Sequence, residues 1–246
     1  MTDLVAHALL LAAGVGRRLG GDGPRPKALL PFAGQTLLAR HLAALRAAGV
    51  QDVTVVVGFE AEQVRDAIGE DPHIMLTVNP DYREGSVVSL WAARGVLRAG
   101  RPVVLMDADV LYHPGLMRRL LASAHPNALL LDREIEPGDE PVKLCIRDGE
   151  IVDFHKRPHA AHEWHGESVG FFRFAPDAAA ELADRADAYV SAGRRSMEYE
   201  EPIRDMIQQS PPGRFGYEDI TGLPWTEIDF PEDLVKANLL LPRLVA

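Results

Sequence analysis

The sequence predicts an α/β fold of Rossmann-like character, with a mostly parallel sheet, helices on both faces and a partly antiparallel C-terminal half. Short apolar runs alternate with segments of helical spacing over the first 125 residues, which is typical of a parallel sheet covered on both faces. Hairpin-like strands follow in the second half. The length of 246 residues and the hydrophobic content of 47% suit one large domain with a substantial core.

The first half alternates strongly apolar segments with amphipathic ones. The apolar segments predict buried strands, because they are short and rich in β-branched or aliphatic residues. Two of the amphipathic segments end in Gly49 and Gly100, and glycine commonly ends a helix. The predicted strands are 7–13, 52–58, 74–78 and 101–109, and the predicted helices are 36–49, 60–68 and 86–100.

The second half contains more strands and fewer helices. Residues 147–150 read RDGE between two apolar runs, which predicts a hairpin turn. Pro231 is placed at the first turn of a closing helix. We expect this half to cover the carboxyl edge of the first sheet, where open α/β folds bind ligands. The predicted strands are 128–134, 142–156 as a hairpin, 167–175, 213–220 and 225–229, and the predicted helices are 177–193, 199–209 and 231–241.

Composition narrows the class of partner. The formal net charge of −10 disfavours nucleic acids and anionic membranes as ligands. Cys145 is the single cysteine, so no internal disulfide forms, and a reducing, cytoplasmic location is expected. No apolar run reaches the length of a membrane span. The N-terminal apolar segment runs into a glycine loop, and we interpret it as the first strand rather than a signal peptide.

A glycine-rich loop with basic residues follows the first predicted strand. It fails the dinucleotide fingerprint, because Leu19 stands where the third glycine belongs, and it fails the P-loop pattern, because Lys27 is not followed by Ser or Thr. Glycines let backbone N–H groups approach an anion. Arg18 and Lys27 can neutralise phosphate oxygens. The loop therefore predicts a triphosphate site of another kind.

Two pairs of carboxylates are candidate metal ligands. Asp107 and Asp109 end a predicted strand, and alternation along an extended chain would place them on the same side. Glu227 and Asp229 alternate in the same way near the C-terminus. Mg²⁺ prefers hard oxygen ligands and is usually held by one or two carboxylates plus substrate phosphates.

The motif L-A-A-G-x-G-x-R-L followed by P-K-A-L resembles the signature of nucleotidyltransferases that act on sugar phosphates and related phosphorylated alcohols. The resemblance implies a triphosphate in this loop. It also implies Mg²⁺ held by Asp109 and Asp229, with Asp107 and Glu227 as second choices. Lys27 would stabilise the α-phosphoryl group during in-line attack, and Arg18 would hold the departing pyrophosphate. The loop residues implied to bind nucleotide are Ala12, Ala13, Gly14 and Gly16.

Further segments resemble one branch, the cytidylyltransferases for phosphocholine, phosphonates and inositol phosphate. The match spreads over most of the chain, so that residues 1–125 would bind the nucleotide and residues 126–246 the acceptor. The segment NPDYREGSVVSLWAA resembles the part that reads the base, which implies roles for Gly85, Ser86 and Ser89. Choline-type relatives often carry Asn-Asn where this chain has Gly85-Ser86, so base and acceptor stay open. The implied acceptor-binding residues are Lys143, Lys156, Glu167, Glu200 and Glu201.

Several other side chains have both a functional and a structural interpretation. A cationic amine on the acceptor would suit the carboxylates and an aromatic face, but most aromatic residues serve in packing. Four histidines crowd into residues 155–165 without an ordered ligand spacing, which favours a lid-like loop over a zinc site. Cys145 is expected in the core. The aromatic candidates are Tyr82, Trp91, Tyr199 and Trp225.

The predicted function is a Mg²⁺-dependent cytidylyltransferase that transfers CMP from CTP to a small phosphorylated or phosphonylated alcohol or amine and releases pyrophosphate. The first alternative is a sugar-1-phosphate nucleotidyltransferase that uses UTP, dTTP or GTP. The second is a nucleotide-binding regulatory module without turnover. Neither nucleic acid nor membrane is expected as a partner, and a homodimer is left open.

Overall fold

The computed structural model describes residues 6–19 and 25–244. Within this part of the chain a nine-stranded sheet forms the centre, and two short two-stranded sheets lie beside it. The strands are β1 (His7–Ala12), β2 (Pro31–Phe32), β3 (Gln35–Thr36), β4 (Val53–Val57), β5 (Ile74–Val78), β6 (Val103–Asp107), β7 (Val110–Tyr112), β8 (Ala128–Asp132), β9 (Lys143–Arg147), β10 (Glu150–His155), β11 (Trp164–Phe174), β12 (Gly216–Asp219) and β13 (Trp225–Glu227).

The helices largely follow the predicted pattern. α1 is capped by the Thr36 hydroxyl, which accepts from the Ala39 N–H at 3.1 Å, and it ends two residues before Gly49, whose φ is +84°. The helices are α1 (Leu37–Ala47), α2 (Ala61–Ile68), α3 (Ser86–Ala92), α4 (Arg94–Leu97), α5 (Gly115–Leu121), α6 (Pro176–Ser191), α7 (Glu200–Gln209) and α8 (Pro231–Leu240).

The main sheet has a parallel part and an antiparallel part, as the sequence predicts. Its order is β10-β9-β11-β6-β1-β4-β5, and β8 and β12 extend from β11. The four strands β6, β1, β4 and β5 run parallel, whereas β11 runs antiparallel to β6, β8 and β9. Apolar clusters cover both faces, and adjacent residues of β1 divide between them, Leu10 on one face and Leu9 on the other.

Some boundaries differ from the prediction. The segment predicted as one helix over 86–100 forms α3 and α4, with Ala93 between them. The short elements β7 and α5 were not predicted, because each has too few residues to show a period. Strand β11 begins at Trp164, so His165 belongs to a strand and not to the predicted loop. Cys145 is fully buried in β9 as expected, and burial raises the pKa of its thiol to about 12.

Two features of this topology bring the predicted site residues together. Strands β1 and β6 are neighbours, with Leu11 opposite Asp107, so the glycine loop after β1 begins beside the end of β6. Strand β13 pairs with β7, which places Glu227 opposite Val110, and the Ile228 N–H donates to the Asp109 carbonyl at 3.0 Å. Among the described helices, none combines the length and apolar character needed to cross a bilayer.

Candidate active site

Lys27 and two carboxylates form the centre of the site. Lys27 begins a 3₁₀ turn after the glycine loop, and its ammonium lies 2.9 Å from Asp109 Oδ2. The same ammonium also donates to Asp229 Oδ1. Burial lowers the pKa of Lys27, but the two carboxylates outweigh burial and hold the pKa above its ordinary value. Lys27 is therefore a fixed cation that joins Asp109 and Asp229, which lie 82 and 202 residues away in sequence.

Three carboxylates have the spacing of metal ligands. Asp109, Glu227 and Asp229 each offer one oxygen, and these oxygens lie within 4.8 Å of one another. Hard oxygen donors of this kind suit Mg²⁺, so the residues present fit the ion that the sequence predicts. The structure thus brings together both first-choice ligands and one second choice, Glu227.

Asp107, the other second choice, is not one of these three carboxylates. β6 ends at Asp107 and the chain turns at residues 108–109, so the alternation expected for an extended strand does not continue to Asp109. Instead, the Tyr199 hydroxyl donates to Asp107 Oδ2 at 2.5 Å. Gly170 makes room for this carboxylate, because a Cβ there would lie 2.1 Å from Asp107 Oδ2. Burial, followed by the charge of Asp109, raises the pKa of Asp107.

Glu227 combines exposure with a crowded environment. Its side chain is open to the cleft, but protein surrounds the base of that cleft closely. The loss of solvation among these protein atoms is the largest cause that raises the pKa of Glu227, and the charges of Asp109 and Asp229 raise it further. A cation bound among the three carboxylates would relieve this repulsion.

Arg18 stands at the rim of the site. Its guanidinium lies 3.3 Å from Asp229 Oδ2 and 3.4 Å from Glu140 Oε2. It also lies over the Phe230 ring, 5.3 Å from the centroid. The side chain is 48% exposed, so it can change partners when an anion enters.

The glycine loop places its residues in two environments. Ala12 and Ala13 are buried, and the Ala13 carbonyl accepts from the Phe59 N–H at 3.1 Å. Gly14 is exposed and borders open space. Gly16 has a φ of +64°, and a Cβ there would lie 3.0 Å from Lys27 Cγ. The loop therefore needs glycine at 16 to bring Lys27 close to its backbone, whereas residues 20–24 lie outside the described part.

The residues expected to read the base already have partners within the protein. The Ser86 hydroxyl donates to Glu198 Oε2 at 2.6 Å and accepts from the Tyr199 N–H at 2.8 Å. Ser89 is buried and accepts from Asn79 Nδ2 at 2.9 Å. A Cβ on Gly85 would lie 2.1 Å from the Met197 carbonyl oxygen. Contact of these residues with a base stays a prediction.

A cleft of about 480 Å³ opens beside the carboxylate cluster. It is strongly acidic, because its lining carries many carboxylates and few cations. Lys156 is one of these cations, and it pairs with Glu140 at 3.0 Å. The acidic residues of the lining are Asp107, Asp132, Glu134, Glu136, Glu140, Glu167, Glu200, Glu227, Asp229, Glu232 and Asp233.

Two of the predicted acceptor residues present carboxylates to the cleft in poorly solvated positions. Glu167 is 8% exposed and accepts from the Glu136 N–H at 2.9 Å. Glu200 Oε2 is buried and has no hydrogen-bond partner among the described residues. Burial raises the pKa of both, to about 7 in each case. Both carboxyls would gain from a bound cation that supplies N–H donors.

Lys143 and Glu201, two other residues implied to bind the acceptor, lie outside the cleft lining. Lys143 donates to the Lys156 carbonyl at 2.9 Å, and Glu201 lies 3.1 Å from His155 Nε2. Both therefore support neighbouring elements in this structure. Of the five acceptor candidates, Lys156, Glu167 and Glu200 line the cleft.

The aromatic candidates divide between the cleft and other parts of the chain. Tyr199 and Trp225 line the cleft, and Trp225 donates to Asp132 at 2.7 Å. Trp91 donates to Asp187 at 2.7 Å and packs under Arg94, so it has the structural role given as the alternative. Tyr82 packs near Phe59 with ring centroids 6.4 Å apart.

Backbone hydrogen bonds to a buried carboxylate hold the middle of the histidine-rich segment in place. The backbone N–H groups of His159 and Ala160 donate to Asp153 Oδ2 at 2.8 and 3.0 Å. His162 Nε2 and His165 Nδ1 are 3.0 Å apart and form a pair.

Sequence reasoning missed Gly170, the bond between Tyr199 and Asp107, and most acids of the cleft. An isolated glycine within a predicted strand, as at Gly170, indicates close approach of another group. The five acids in DREIEPGDE, residues 132–140, were a signal for an acidic wall.

The chain is similar to several known proteins. Residues 8–153 match the MobA-like NTP transferase domain family. CMP-5'-(3-aminopropyl)phosphonate synthase from Streptomyces rubellomurinus is 36% identical over 60% of this chain and 24% of its own length. A bifunctional IPC transferase and DIPP synthase from Rubrobacter xylanophilus is 32% identical over 92% of this chain. The chain spans about half the length of that bifunctional relative.

A solved structure shows the same fold over nearly the whole chain. The CTP:phosphocholine cytidylyltransferase from Streptococcus pneumoniae superimposes with a TM-score of 0.79 at 22% identity, covering 97% of this chain and 100% of that one. The resemblance inferred from the glycine loop and the late acid pair is confirmed. With the family match extending over more than half of its residues, the chain belongs to the MobA-like NTP transferase domain family.

Proposed function

We propose that this protein is a Mg²⁺-dependent cytidylyltransferase that transfers CMP from CTP to a small acceptor bearing a phosphate or phosphonate group and an amine. The observation that carries this proposal is the acidic cleft beside Lys27 and its carboxylate partners. Relatives that transfer CMP, by their names, support cytidine as the base. The cytoplasmic location expected from the single cysteine belongs to the same proposal.

In the proposed reaction an oxygen of the acceptor phosphate or phosphonate attacks the α-phosphorus of CTP. A new P–O bond forms, the bond between the α-phosphorus and the bridging oxygen breaks, and pyrophosphate leaves with the bond electrons. Such a reaction needs positioning and charge stabilisation rather than a covalent nucleophile. Lys27 supplies a cation whose charge is secured by its carboxylate neighbours.

Asp109, Glu227 and Asp229 would hold Mg²⁺, which supplies Lewis-acid stabilisation of phosphate charge when bound. Arg18 is placed at the exposed side of these residues and can bind the departing pyrophosphate. Lys156 lines the cleft and can bind the acceptor phosphate, because its present partner Glu140 is half exposed and can release it.

The amine of the acceptor is inferred from two carboxylates of the cleft. Glu167 and Glu200 are two poorly solvated acids in the cleft, and an ammonium group would satisfy both charge and hydrogen bonding. A sugar 1-phosphate brings no cation to them. The cleft therefore favours an amine-bearing acceptor over the sugar-phosphate alternative, and the joint presence of Lys27 with three ligand carboxylates favours turnover over nucleotide sensing.

The test is pyrophosphate release with Mg²⁺, with CTP, UTP, ATP, GTP and dTTP each paired with phosphoethanolamine, 2-aminoethylphosphonate, phosphocholine, inositol 1-phosphate and sugar 1-phosphates. We expect release with CTP and an amine-bearing acceptor. The matched control is D109N, which should release none. Release confined to sugar 1-phosphates would overturn the acceptor assignment. Release with another nucleotide instead of CTP would overturn the assignment of cytidine as the base.

A further inference from the structure

Two segments far apart in sequence are bound together beside the proposed active site. Segment 195–199 precedes α7, and segment 79–86 leads into α3. The Gly85 N–H donates to the Arg195 carbonyl at 2.9 Å, and the Val87 N–H donates to the Met197 carbonyl at 3.1 Å. Gly85 allows this contact, because a Cβ there would lie 2.1 Å from Met197 O. Backbone pairing thus fixes the start of α7 against α3.

Charged side chains strengthen the same contact. The Arg195 guanidinium donates to Asp81 Oδ2 at 2.7 Å and to Glu84 Oε2 at 2.6 Å. Both acids belong to segment 79–86. The two segments therefore form one unit, although segment 79–86 belongs to the predicted nucleotide-binding half and segment 195–199 to the predicted acceptor-binding half.

Ser86 is the side chain at the centre of this unit. Its hydroxyl donates to Glu198 Oε2 and accepts from the Tyr199 N–H, at 2.6 and 2.8 Å. Tyr199 is the residue immediately before α7, so the Ser86 oxygen satisfies a backbone donor at the start of that helix. The hydroxyl can donate one hydrogen bond, and its acceptor is Glu198.

Tyr199 continues the chain of hydrogen bonds toward the carboxylate cluster. The side chain is 4% exposed, and its hydroxyl donates to Asp107 Oδ2 at 2.5 Å. Asp107 stands two residues before Asp109. The next residue after Tyr199 is Glu200, whose side chain lines the cleft. Ser86 is therefore linked both to α7 and to the end of β6, two residues before the proposed metal ligand Asp109.

We propose that Ser86 and Tyr199 are positioning residues for the acceptor side of the site, with Ser86 setting the start of α7 and Tyr199 setting Asp107. This assigns Ser86 a role that differs from the base contact expected from sequence. A residue that reads the base would act on CTP binding. A residue that sets α7 acts on Glu200, and so on the acceptor. The kinetic part of this inference rests on the proposed function.

The first test compares S86A with S86T and with S196A, a control serine that is exposed in segment 195–199. For S86A we expect the KM for the acceptor to rise about fivefold to tenfold, the loss of one well-placed hydrogen bond. The KM for CTP should change less than twofold by the same reasoning. S86T keeps a hydroxyl and should recover part of the loss, and S196A should behave as the wild type. A rise in the KM for CTP with the acceptor KM unchanged would overturn the proposal.

A second readout needs no turnover. Hydrogen exchange of residues 198–203 should be faster in S86A than in the wild type and S196A, with CTP affinity by calorimetry unchanged. Y199F, which removes the bond to Asp107 alone, should lower kcat while leaving exchange at the start of α7 near the wild-type rate. If no acceptor is turned over by the wild type, the proposed function fails, whereas unchanged exchange in S86A defeats the positioning role by itself.

Discussion

Lys27 Nζ lies 2.9 Å from Asp109 Oδ2 and also binds the carboxylate of Asp229. One ammonium thus holds together the segments that follow β6 and β13, which come from opposite halves of the chain. Together with Arg18, which lies 3.3 Å from Asp229, it neutralises part of the charge of the three carboxylates.

Replacing Lys27 with methionine should lower turnover far more than nucleotide affinity. In the proposed reaction this cation lies where charge develops, and removing one such group costs about 10²- to 10³-fold in kcat. CTP affinity, measured by calorimetry, should fall less than about tenfold, because other loop contacts remain. R65M changes an exposed arginine paired with Glu62 and serves as the control. An equal loss in kcat and in CTP affinity would contradict a transition-state role.

Mg²⁺ should stabilise the K27M variant more than the wild type. Without the ammonium, Asp109, Glu227 and Asp229 repel one another, so a divalent cation relieves more free energy on binding. We expect a larger Mg²⁺-dependent rise in the midpoint of thermal unfolding for K27M, and little rise for D109N. The control D184N, an exposed acid on α6, should match the wild type. A smaller rise in K27M would show that the cluster does not bind the ion.

The stability of the protein should fall as pH rises through neutrality, and E200Q should remove part of that fall. The pKa of Glu200 is about 7 in the folded protein and near 4.5 when unfolded, so between these values the folded state holds the extra proton. Stability contributed by that proton is complete below pH 4.5 and lost above pH 7. At pH 8, E200Q should be more stable than the wild type by up to about 3 kcal/mol.

The two proteins should be equally stable near pH 4.5. Urea unfolding at pH 5 and pH 8 measures the difference. E201Q is the control, because Glu201 is paired with His155. A stability gain for E200Q that is the same at both pH values would show that titration of Glu200 is not its cause.

Substitution of Gly170 by alanine should impair activity beyond its effect on stability. Gly170 has a φ of +75°, and its Cβ would meet Asp107 Oδ2 at 2.1 Å. Gly193 has nearly the same φ, +74°, with no atom within 4 Å of a Cβ. Both variants should lose about 1 kcal/mol from the backbone, but G170A must also move Asp107. A displacement of about 1 Å can cost a factor of about 100 in rate.

We therefore expect kcat of G170A to fall about 100-fold and kcat of G193A to stay near the wild type. Rates are compared at a temperature at which both variants are folded by circular dichroism. Equal kcat values for the two variants would mean that the position of Asp107 does not matter for the reaction.

Asp153 should be a major contributor to the stability of the second half. It is fully buried in β10 and binds Arg204 at 2.7 Å and Gln208 at 3.0 Å, both on α7. Asparagine in its place would remove the nearest counter-charge of Arg204, which costs about 3 kcal/mol. For a chain of this size that is a fall of roughly 6 to 12 °C in the melting temperature. D139N removes an exposed pair with Arg157 and should change it little; a fall of similar size would refute the role of Asp153.

The order and type of the long elements were predictable because their periodicity is local. The parallel strands are mostly apolar, and Gly49 follows the end of α1 as expected. The late acids were also predictable, since Glu227 and Asp229 keep the alternation of an extended segment. Asp107 and Asp109 do not keep this alternation, because the chain turns immediately after β6. The point at which β6 ends therefore decides which of the two carboxylates joins Glu227 and Asp229.

Contacts between distant segments could not be predicted in this way. Ser86 lies 113 residues from Tyr199, and nothing near Ser86 in sequence shows that its hydroxyl is used by segment 195–199. The polarity of Ser86 suggested a ligand contact, and the structure supplies a protein contact instead. Glu201 shows the same limit, because its neighbour Glu200 enters the cleft while Glu201 pairs with His155.

The eleven-residue strand β11 has a mechanical consequence. Its C-terminal residues pair with β6 of the parallel part, and its N-terminal residues pair with β9 of the antiparallel part. A hinge between the two halves would have to break this continuous ladder. If the two halves move as one body, substrate access is controlled by the loops around the cleft, such as residues 133–142. A change of acceptor during evolution would then involve these rim loops and cleft side chains such as Glu167 on β11, without a change in the strand order of the sheet.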